Sequence, residues 1–175
     1  MNETDEPVWI GELRDTYLGE IWTAQSAAGL VAVNLWGDRA RFMEQVIKLT
    51  GQQPDYAPER LSIINRQTEE YLNKERRQFE IQIDWSVMTP FQQDVLQIVC
   101  GIEYGRTRSY GDIARQLGKP KAMRAVGRAN ATNPMPIIFP CHPVLGADGR
   151  LHGYSAPGGI ETKARLLRLE GSWLI

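Results

Sequence analysis

The fold of the second half of the chain is decided by the stretch SYGDIARQLGKPKAMRAVGRA at positions 109–129. Ser109 and Asp112 have the spacing of a capping box, in which each side chain bonds the backbone N–H of the other residue, so a short helix is predicted over 111–117. Gly118 ends that helix, and Pro120 suits the first turn of a second one. Two short helices joined by a glycine turn form the outline of a helix-turn-helix motif.

The second predicted helix has two different faces. Small apolar residues share one face, while Arg124 and Arg128, four positions apart, share another. The apolar set is Ala122, Ala125, Val126 and Ala129.

Charge is distributed unevenly along the chain. Residues 1–85 carry 9 Lys and Arg against 15 Asp and Glu, whereas residues 86–175 carry 11 against 6. The positive excess lies mainly at Arg106, Arg108, Arg115, Lys119, Lys121, Arg124 and Arg128. A solvated basic surface is the ordinary explanation of such a run, but its position on a predicted helix-turn-helix favours DNA binding.

Further elements are predicted around this motif. Thr89 can cap a helix over 91–102, and a last helix over 162–170 directs three leucines towards a core. The apolar residues 137–139 predict a strand, and Asp148-Gly149 predicts a tight hairpin that would form a wing.

The first half predicts a scaffold. Residues 18–25 and 30–35 predict a hairpin, 39–49 and 57–73 predict helices, and the alternation over 79–83 is typical of a strand. No nucleophiles, bases or ligands cluster there. A change of composition near 84–89 predicts two domains, 1–85 and 86–175.

Composition excludes several classes of protein. No apolar run is long enough to cross a bilayer and residues 1–6 are acidic, so we expect a soluble, unexported, cytoplasmic protein. Cys100 lies in an apolar run and is predicted to be a small buried hydrophobic residue, which makes a disulfide with Cys141 the less favoured interpretation. With His142 and His152 as the only histidines, no zinc-site spacing is present.

Cys141 is the candidate nucleophile. Four prolines, at 134, 136, 140 and 143, stiffen the chain around it, which lowers the entropic cost of holding a reactive group in place. A thiol reacts as thiolate and needs a base or a positive potential, and His142 follows directly. From this pair alone, coincidence or packing remains the simpler explanation.

A longer stretch gives more information. The segment NPMPIIFPCHPV at 133–144 closely resembles the active-site segment of the O6-alkylguanine-DNA alkyltransferases, and the resemblance extends through 108–111, 124–127 and 153–155. It covers residues 89–171. It implies two domains of an α/β (α+β) fold: a small N-terminal antiparallel sheet with helices, and a C-terminal winged helix-turn-helix domain.

The resemblance implies a role for five residues. Cys141 would accept the alkyl group irreversibly, His142 would deprotonate the thiol through a water, and Glu170 would orient and charge that histidine. Asn133 would tie the active-site segment together by hydrogen bonds. Tyr110 would donate a proton or hydrogen bond to the departing guanine.

The resemblance also implies a DNA interface in the minor groove. Arg124 would enter the duplex and fill the gap left by the extruded nucleotide, since the target carbon is inaccessible within the base stack. The other predicted DNA-binding residues are Tyr110, Gly111, Lys119, Ala125, Gly127, Arg128 and Ala129. The predicted substrate pocket consists of Pro136, Val144, Tyr154 and Ser155.

The expected partner is duplex DNA containing O6-alkylguanine, with O4-alkylthymine as a further substrate. A monomer is expected without cofactor, metal or membrane, and cooperative binding of several molecules on DNA is left open. Relatives usually carry Arg where this chain has Pro143, so pocket shape and substrate range are expected to differ while activity survives. The alternatives are a regulatory or lesion-recognising winged-helix protein without transfer activity, and a cysteine hydrolase or redox sensor. Cys141 argues against the first alternative, and the absence of an oxyanion-hole signal argues against the second.

Overall fold

A computed structural model describes residues 7–35, 37–146, 148–151 and 159–172. The chain forms two compact units, Met1–Val87 and Met88–Ile175. Each unit has its own hydrophobic core, and each is described in turn.

The first unit contains a four-stranded sheet. Its strands are β1 (Trp9–Thr16), β2 (Gly19–Ser26), β3 (Gly29–Leu35) and the short β4 (Asp55–Tyr56), in the order β3-β2-β1-β4. The first three strands are antiparallel, and β4 pairs with β1 in parallel. The hairpin predicted over 18–35 is therefore confirmed as β2 and β3, whereas β1 and β4 were not predicted.

Two helices accompany this sheet. Helix α1 (Arg39–Thr50) begins at Asp38, whose side chain accepts a hydrogen bond from the backbone N–H of Ala40. Its predicted apolar face buries Phe42 and Val46. The core cluster consists of Val8, Ile10, Trp22, Ala24, Val31, Ala32, Phe42 and Val46.

The second predicted helix is shorter than the sequence pattern suggests. Pro58–Leu61 form a 3₁₀ turn, and only then does α2 (Ser62–Leu72) begin. The prediction of one helix over 57–73 was wrong at its start, because Pro58 and the weakly capped first turn favour the tighter 3₁₀ form.

The strand predicted over 79–83 does not form. Only an isolated parallel bridge joins Leu30 to Ile83, with Leu30 N–H donating to the Gln82 carbonyl at 2.8 Å. Gly29 makes this approach possible, since a Cβ there would lie 2.6 Å from the Gln82 carbonyl oxygen. The alternating side chains therefore belong to a segment that follows the sheet edge at one point only.

The second unit contains the helix-turn-helix. Its helices are α3 (Pro90–Cys100), α4 (Tyr110–Gln116), α5 (Met123–Ala131) and α6 (Gly159–Leu169). The helix-turn-helix itself is α4 and α5, and its core cluster consists of Val95, Val99, Ile113, Ala114, Val126, Ala129 and Val144.

The predicted helix signals are confirmed at three positions. Thr89 caps α3, Ser109 and Asp112 form both halves of the capping box of α4, and Gly118 after α4 is left-handed with φ 69°. Pro120 was wrongly placed: it lies in the turn before α5, whose N-cap is Ala122.

Two further details differ from expectation. Ala125 is exposed, so the buried face of α5 is carried by Val126, Ala129 and Asn130. Cys100 is exposed at the end of α3 rather than buried, because it lies off the face that Val95, Leu96 and Val99 turn to the core. Neither of these two described cysteines forms a disulfide.

The capping box gives a stability prediction. Replacing Ser109 with Ala removes the acceptor for the Asp112 N–H and is expected to lower the free energy of unfolding by about 1 kcal/mol. Thr107→Ala, which removes an exposed hydroxyl outside any helix, is the comparison variant for urea unfolding, and a loss equal to that of Ser109→Ala is not expected for it. A loss no larger than that of Thr107→Ala would contradict the assignment.

The wing is only partly formed in the described residues. Strand β6 (Val144–Leu145) pairs in parallel with β5 (Arg108–Ser109), not with the residues after Asp148-Gly149. The turn itself is present, since Gly146 N–H donates to the Arg150 carbonyl at 3.3 Å. His152, the end of the predicted returning strand, lies outside the described residues.

Candidate active site

The active-site segment, residues 133–144, is a buried turn rather than the predicted strand. Phe139 N–H donates to the Met135 carbonyl at 3.0 Å, and Ile137 is left-handed with φ 67°. The side chain of Asn133 closes the turn: its Nδ2 donates to the Phe139 carbonyl at 2.8 Å, and its Oδ1 accepts from Met135 N–H at 2.9 Å. The prolines favour this turn because they cannot supply strand hydrogen bonds.

A left-handed conformation is unfavourable for a β-branched residue such as Ile137. It persists here because the surrounding hydrogen bonds and the burial of the segment fix it, a form of strain that concentrates at functional sites. The expected tie by Asn133 is present in the geometry.

Cys141 lies at the end of this turn and is 3% exposed. Its carbonyl accepts a hydrogen bond from Asn130 Nδ2 on α5 at 3.2 Å and another from Val144 N–H at 3.4 Å. The candidate nucleophile is thus held from two sides, by the helix-turn-helix and by the strand that follows it.

The structure brings His142 and Glu170 together. Nε2 of His142 lies 2.9 Å from Oε1 of Glu170, with the imidazole fully buried and the carboxylate side chain 6% exposed. The two atoms are close enough for an ion pair, but the Nε2–H bond does not point at the carboxylate oxygen well enough to count as a hydrogen bond. The other ring nitrogen, Nδ1, has no hydrogen-bond partner among the described residues. A carboxylate beside Nε2 favours the proton on that nitrogen, which leaves Nδ1 as the basic atom.

The end of α6 is fixed by an earlier loop. The hydroxyl of Tyr104 donates to the Leu169 carbonyl at 3.2 Å, and Gly105, with φ 79°, lies so close that a Cβ there would be 2.9 Å from the Glu170 carbonyl oxygen. This loop therefore sets the position of the Glu170 carboxylate.

Tyr110 is the first residue of α4 and is half-buried. Burial raises the pKa of its phenol, and the negative charge of Cys141 adds to that rise, while a hydrogen bond with the Asn130 side chain opposes it. Tyr110 and Cys141 are therefore close enough for their charges to interact. A phenol with a raised pKa stays protonated and can act as a donor.

Lys163 is a site residue that the sequence analysis missed. It is fully buried, and its Nζ donates to the Val144 carbonyl at 2.7 Å. Burial lowers its pKa to about 8, and the charge of Cys141 opposes this shift. A cation here favours the thiolate. The signal was available in the sequence, since Lys163 precedes Leu166 and Leu167 by three and four positions on an apolar helix face.

The predicted DNA-binding residues divide by exposure. Lys119, Arg124, Ala125 and Arg128 are exposed, and Gly127 is half-buried. Gly111 and Ala129 are buried in the packing of α4 and α5. They can therefore affect a DNA interface only indirectly, through the way the two helices pack.

The predicted pocket is only partly described. Pro136 and Val144 are buried beside Cys141, whereas Tyr154 and Ser155 lie outside the described residues. Pro143 is buried as well, and its carbonyl accepts from Arg108 N–H at 3.1 Å, which extends the pairing of β5 and β6. Any residue at this position can accept this backbone hydrogen bond through its carbonyl, whatever its side chain.

These features define a class: a helix-turn-helix protein with a buried cysteine nucleophile backed by a histidine and a carboxylate. Residues 90–172 match the family described as 6-O-methylguanine DNA methyltransferase, DNA binding domain. The chain is similar to the methylated-DNA–protein-cysteine methyltransferases of Methanosarcina acetivorans, at 47% identity over 62% of this chain and 67% of that one, and Mycobacterium leprae, at 51% over 59% and 61%. The chain belongs to the methylated-DNA–protein-cysteine methyltransferase family.

Solved structures extend the likeness over both units. The O6-methylguanine methyltransferase of Mycobacterium tuberculosis is 35% identical with a TM-score of 0.78, covering 96% of this chain and 95% of that one. The same organism's OGT in complex with DNA is 36% identical with a TM-score of 0.79, covering 94% and 93%. The mixed α/β fold with a small sheet is thereby confirmed.

Within the described residues, no helix is long and apolar enough to cross a membrane. The same residues contain no group of three or more His, Cys, Asp and Glu side chains that could hold a metal ion. The absence of a metal or cofactor from the working protein stays a prediction.

Proposed function

We propose that this protein repairs DNA by transferring an alkyl group from O6-alkylguanine to Cys141, once per molecule. The observation that carries the proposal is the buried Cys141, with Lys163 within charge–charge range and the next residue, His142, paired with Glu170. Family membership supplies the lesion, because relatives are named for methylated DNA and O6-methylguanine.

The transfer is a single displacement. His142 takes the proton of the thiol, and the Cys141 sulfur attacks the alkyl carbon; the S–C bond forms as the bond from that carbon to guanine O6 breaks. The electron pair of the broken bond stays on the guanine, which takes one proton, with Tyr110 as its donor. The products are a thioether and an unmodified guanine, so no cofactor is consumed and no step regenerates the thiol.

The DNA-binding surface follows from exposure and charge. Arg124 and Arg128 project from α5 and Lys119 from the turn before it, so all three can reach phosphates, and Arg124 can occupy the space left by an extruded nucleotide. The exposed Ala125 allows a close approach to a groove. We place the protein as a monomer in the compartment that holds the DNA; its cytoplasmic location stays a prediction.

Intact-protein mass spectrometry tests the proposal. After incubation with duplex DNA containing O6-methylguanine, one thiol hydrogen should be replaced by one methyl group, and peptide mapping should place it at Cys141. Undamaged duplex is the control. A folded protein that binds the lesion and gains no mass would instead establish the lesion-recognising alternative.

The salt dependence of binding tests the interface. Arg124→Ala or Arg128→Ala is expected to weaken duplex binding and to lower the slope of log affinity against log salt by about 1 for each lost phosphate contact. Arg66→Ala on α2 removes the same charge from the other unit and is expected to leave the slope unchanged. Equal slopes for all three variants would contradict the assignment.

A further inference from the structure

Asn130 lies where the last turn of α5 meets the active-site segment. It is 5% exposed, and its Nδ2 donates to the Cys141 carbonyl at 3.2 Å. Asn133 holds the Phe139 carbonyl in the same way three residues later. Two asparagine side chains therefore hold the active-site segment, Asn130 from α5 and Asn133 from the start of the segment itself.

Tyr110 lies against the same face of α5. A Cβ built on Gly127 would be 4.0 Å from both Cδ1 and Cε1 of the Tyr110 ring. Gly127 and Asn130 are three positions apart and so share a helix face. The ring thus runs along this face, close enough to the Asn130 side chain for hydrogen bonding with it to lower the pKa of the phenol.

The orientation of the Asn130 amide is determined by its neighbours. Turned the other way, Oδ1 would face the Cys141 carbonyl oxygen, and two acceptors would be opposed. A hydrogen bond that lowers the pKa of the phenol is one that the phenol oxygen accepts, so we assign it to Nδ2; Oδ1 is buried and has no hydrogen-bond partner among the described residues. One amide hydrogen is then available for each of the two oxygens.

We propose that Asn130 is a positioning residue that couples Tyr110 to Cys141 by donating one amide hydrogen to the phenol oxygen and the other to the cysteine carbonyl. Because the phenol oxygen already accepts this bond, its own hydrogen is directed elsewhere, towards the departing guanine. A bond accepted by the phenol oxygen also strengthens the phenol as a donor. The inference rests on the proposed alkyl transfer and assigns the geometry of its proton donor.

A double-mutant cycle tests the coupling. Asn130→Leu keeps the branched shape of the side chain and removes both N–H donors. In single-turnover transfer from O6-methylguanine duplex, it should slow the rate at least about tenfold when Tyr110 is present and less than about threefold in a Tyr110→Phe background. Asn73→Ala, exposed at the end of α2, should change neither rate.

A second reaction separates the two hydrogen bonds. Alkylation of Cys141 by iodoacetamide involves no guanine, so the effect of Asn130→Leu on it should be the same with Tyr110 or Phe at position 110. Thermal unfolding verifies that each variant is folded, and Asn130→Ala supplies the same comparison if the leucine variant does not fold. Equal losses of transfer rate in both backgrounds would overturn the inference, whereas a wild type that takes up no alkyl group would overturn the proposed function itself.

Discussion

A Cys141→Ala variant is expected to take up no alkyl group from O6-methylguanine duplex while still binding it. The sulfur is the atom that forms the new bond, so its removal abolishes the reaction rather than slowing it. Cys141 is buried behind the helix-turn-helix surface, and its loss leaves the exposed Arg124, Ala125 and Arg128 unchanged. Affinity for the lesion should therefore stay within about threefold of wild type, which is under 1 kcal/mol.

The chain contains its own matched control. Cys100 is the other cysteine and is also a free thiol, and it is exposed where Cys141 is buried. Cys100→Ala should take up one alkyl group per molecule at the wild-type rate. If Cys141→Ala took up an alkyl group, or if Cys100→Ala failed to, the assignment of Cys141 as the alkyl acceptor would be wrong.

The second large effect is expected at Glu170. Glu170→Gln keeps the shape of the side chain and removes the carboxylate 2.9 Å from His142 Nε2, so the ring loses the group that orients it and stabilises the imidazolium formed by proton transfer. We expect single-turnover transfer at neutral pH to slow by about 10- to 100-fold. The deficit should shrink as the pH rises above about 8.5, where a thiol ionises without a base.

Glu161→Gln is the control for this variant. Glu161 is an exposed acid on the same helix, paired with Arg165 rather than with the site. Rates measured across the pH range should match those of wild type. A Glu170→Gln deficit that is constant with pH would indicate damage to the segment instead of loss of the base.

The helix-turn-helix could be predicted because its signals are local. A capping box, a left-handed glycine and basic residues at helical spacing act within a few residues, so Ser109, Asp112 and Gly118 take the positions that their types favour. The site residues Cys141, His142 and Glu170 were found through the family resemblance, and their proximity follows from the docking of α6.

The sequence-based predictions fail where packing between distant segments determines the local structure. Ile137 is a strand-forming residue by type, yet hydrogen bonds from Asn133 hold its segment as a turn. Asn130 and Lys163 bond carbonyls 11 and 19 positions away, and no pattern within their own helices reveals those partners. Strand β4 has only two residues and exists because β1 lies beside it.

The fastening of Glu170 by the loop at Tyr104 and Gly105 has a consequence for biosynthesis. The carboxylate is the last element of the site to emerge from the ribosome, well after Cys141 and His142, and it reaches the histidine only when α6 has docked. The thiol of Cys141 therefore stays without the His142–Glu170 pair from the time Cys141 is added until α6 has formed and docked. Because the base is complete only with α6 in place, a molecule in which this helix is undocked is expected to be less prone to spend its single reaction on a stray electrophile.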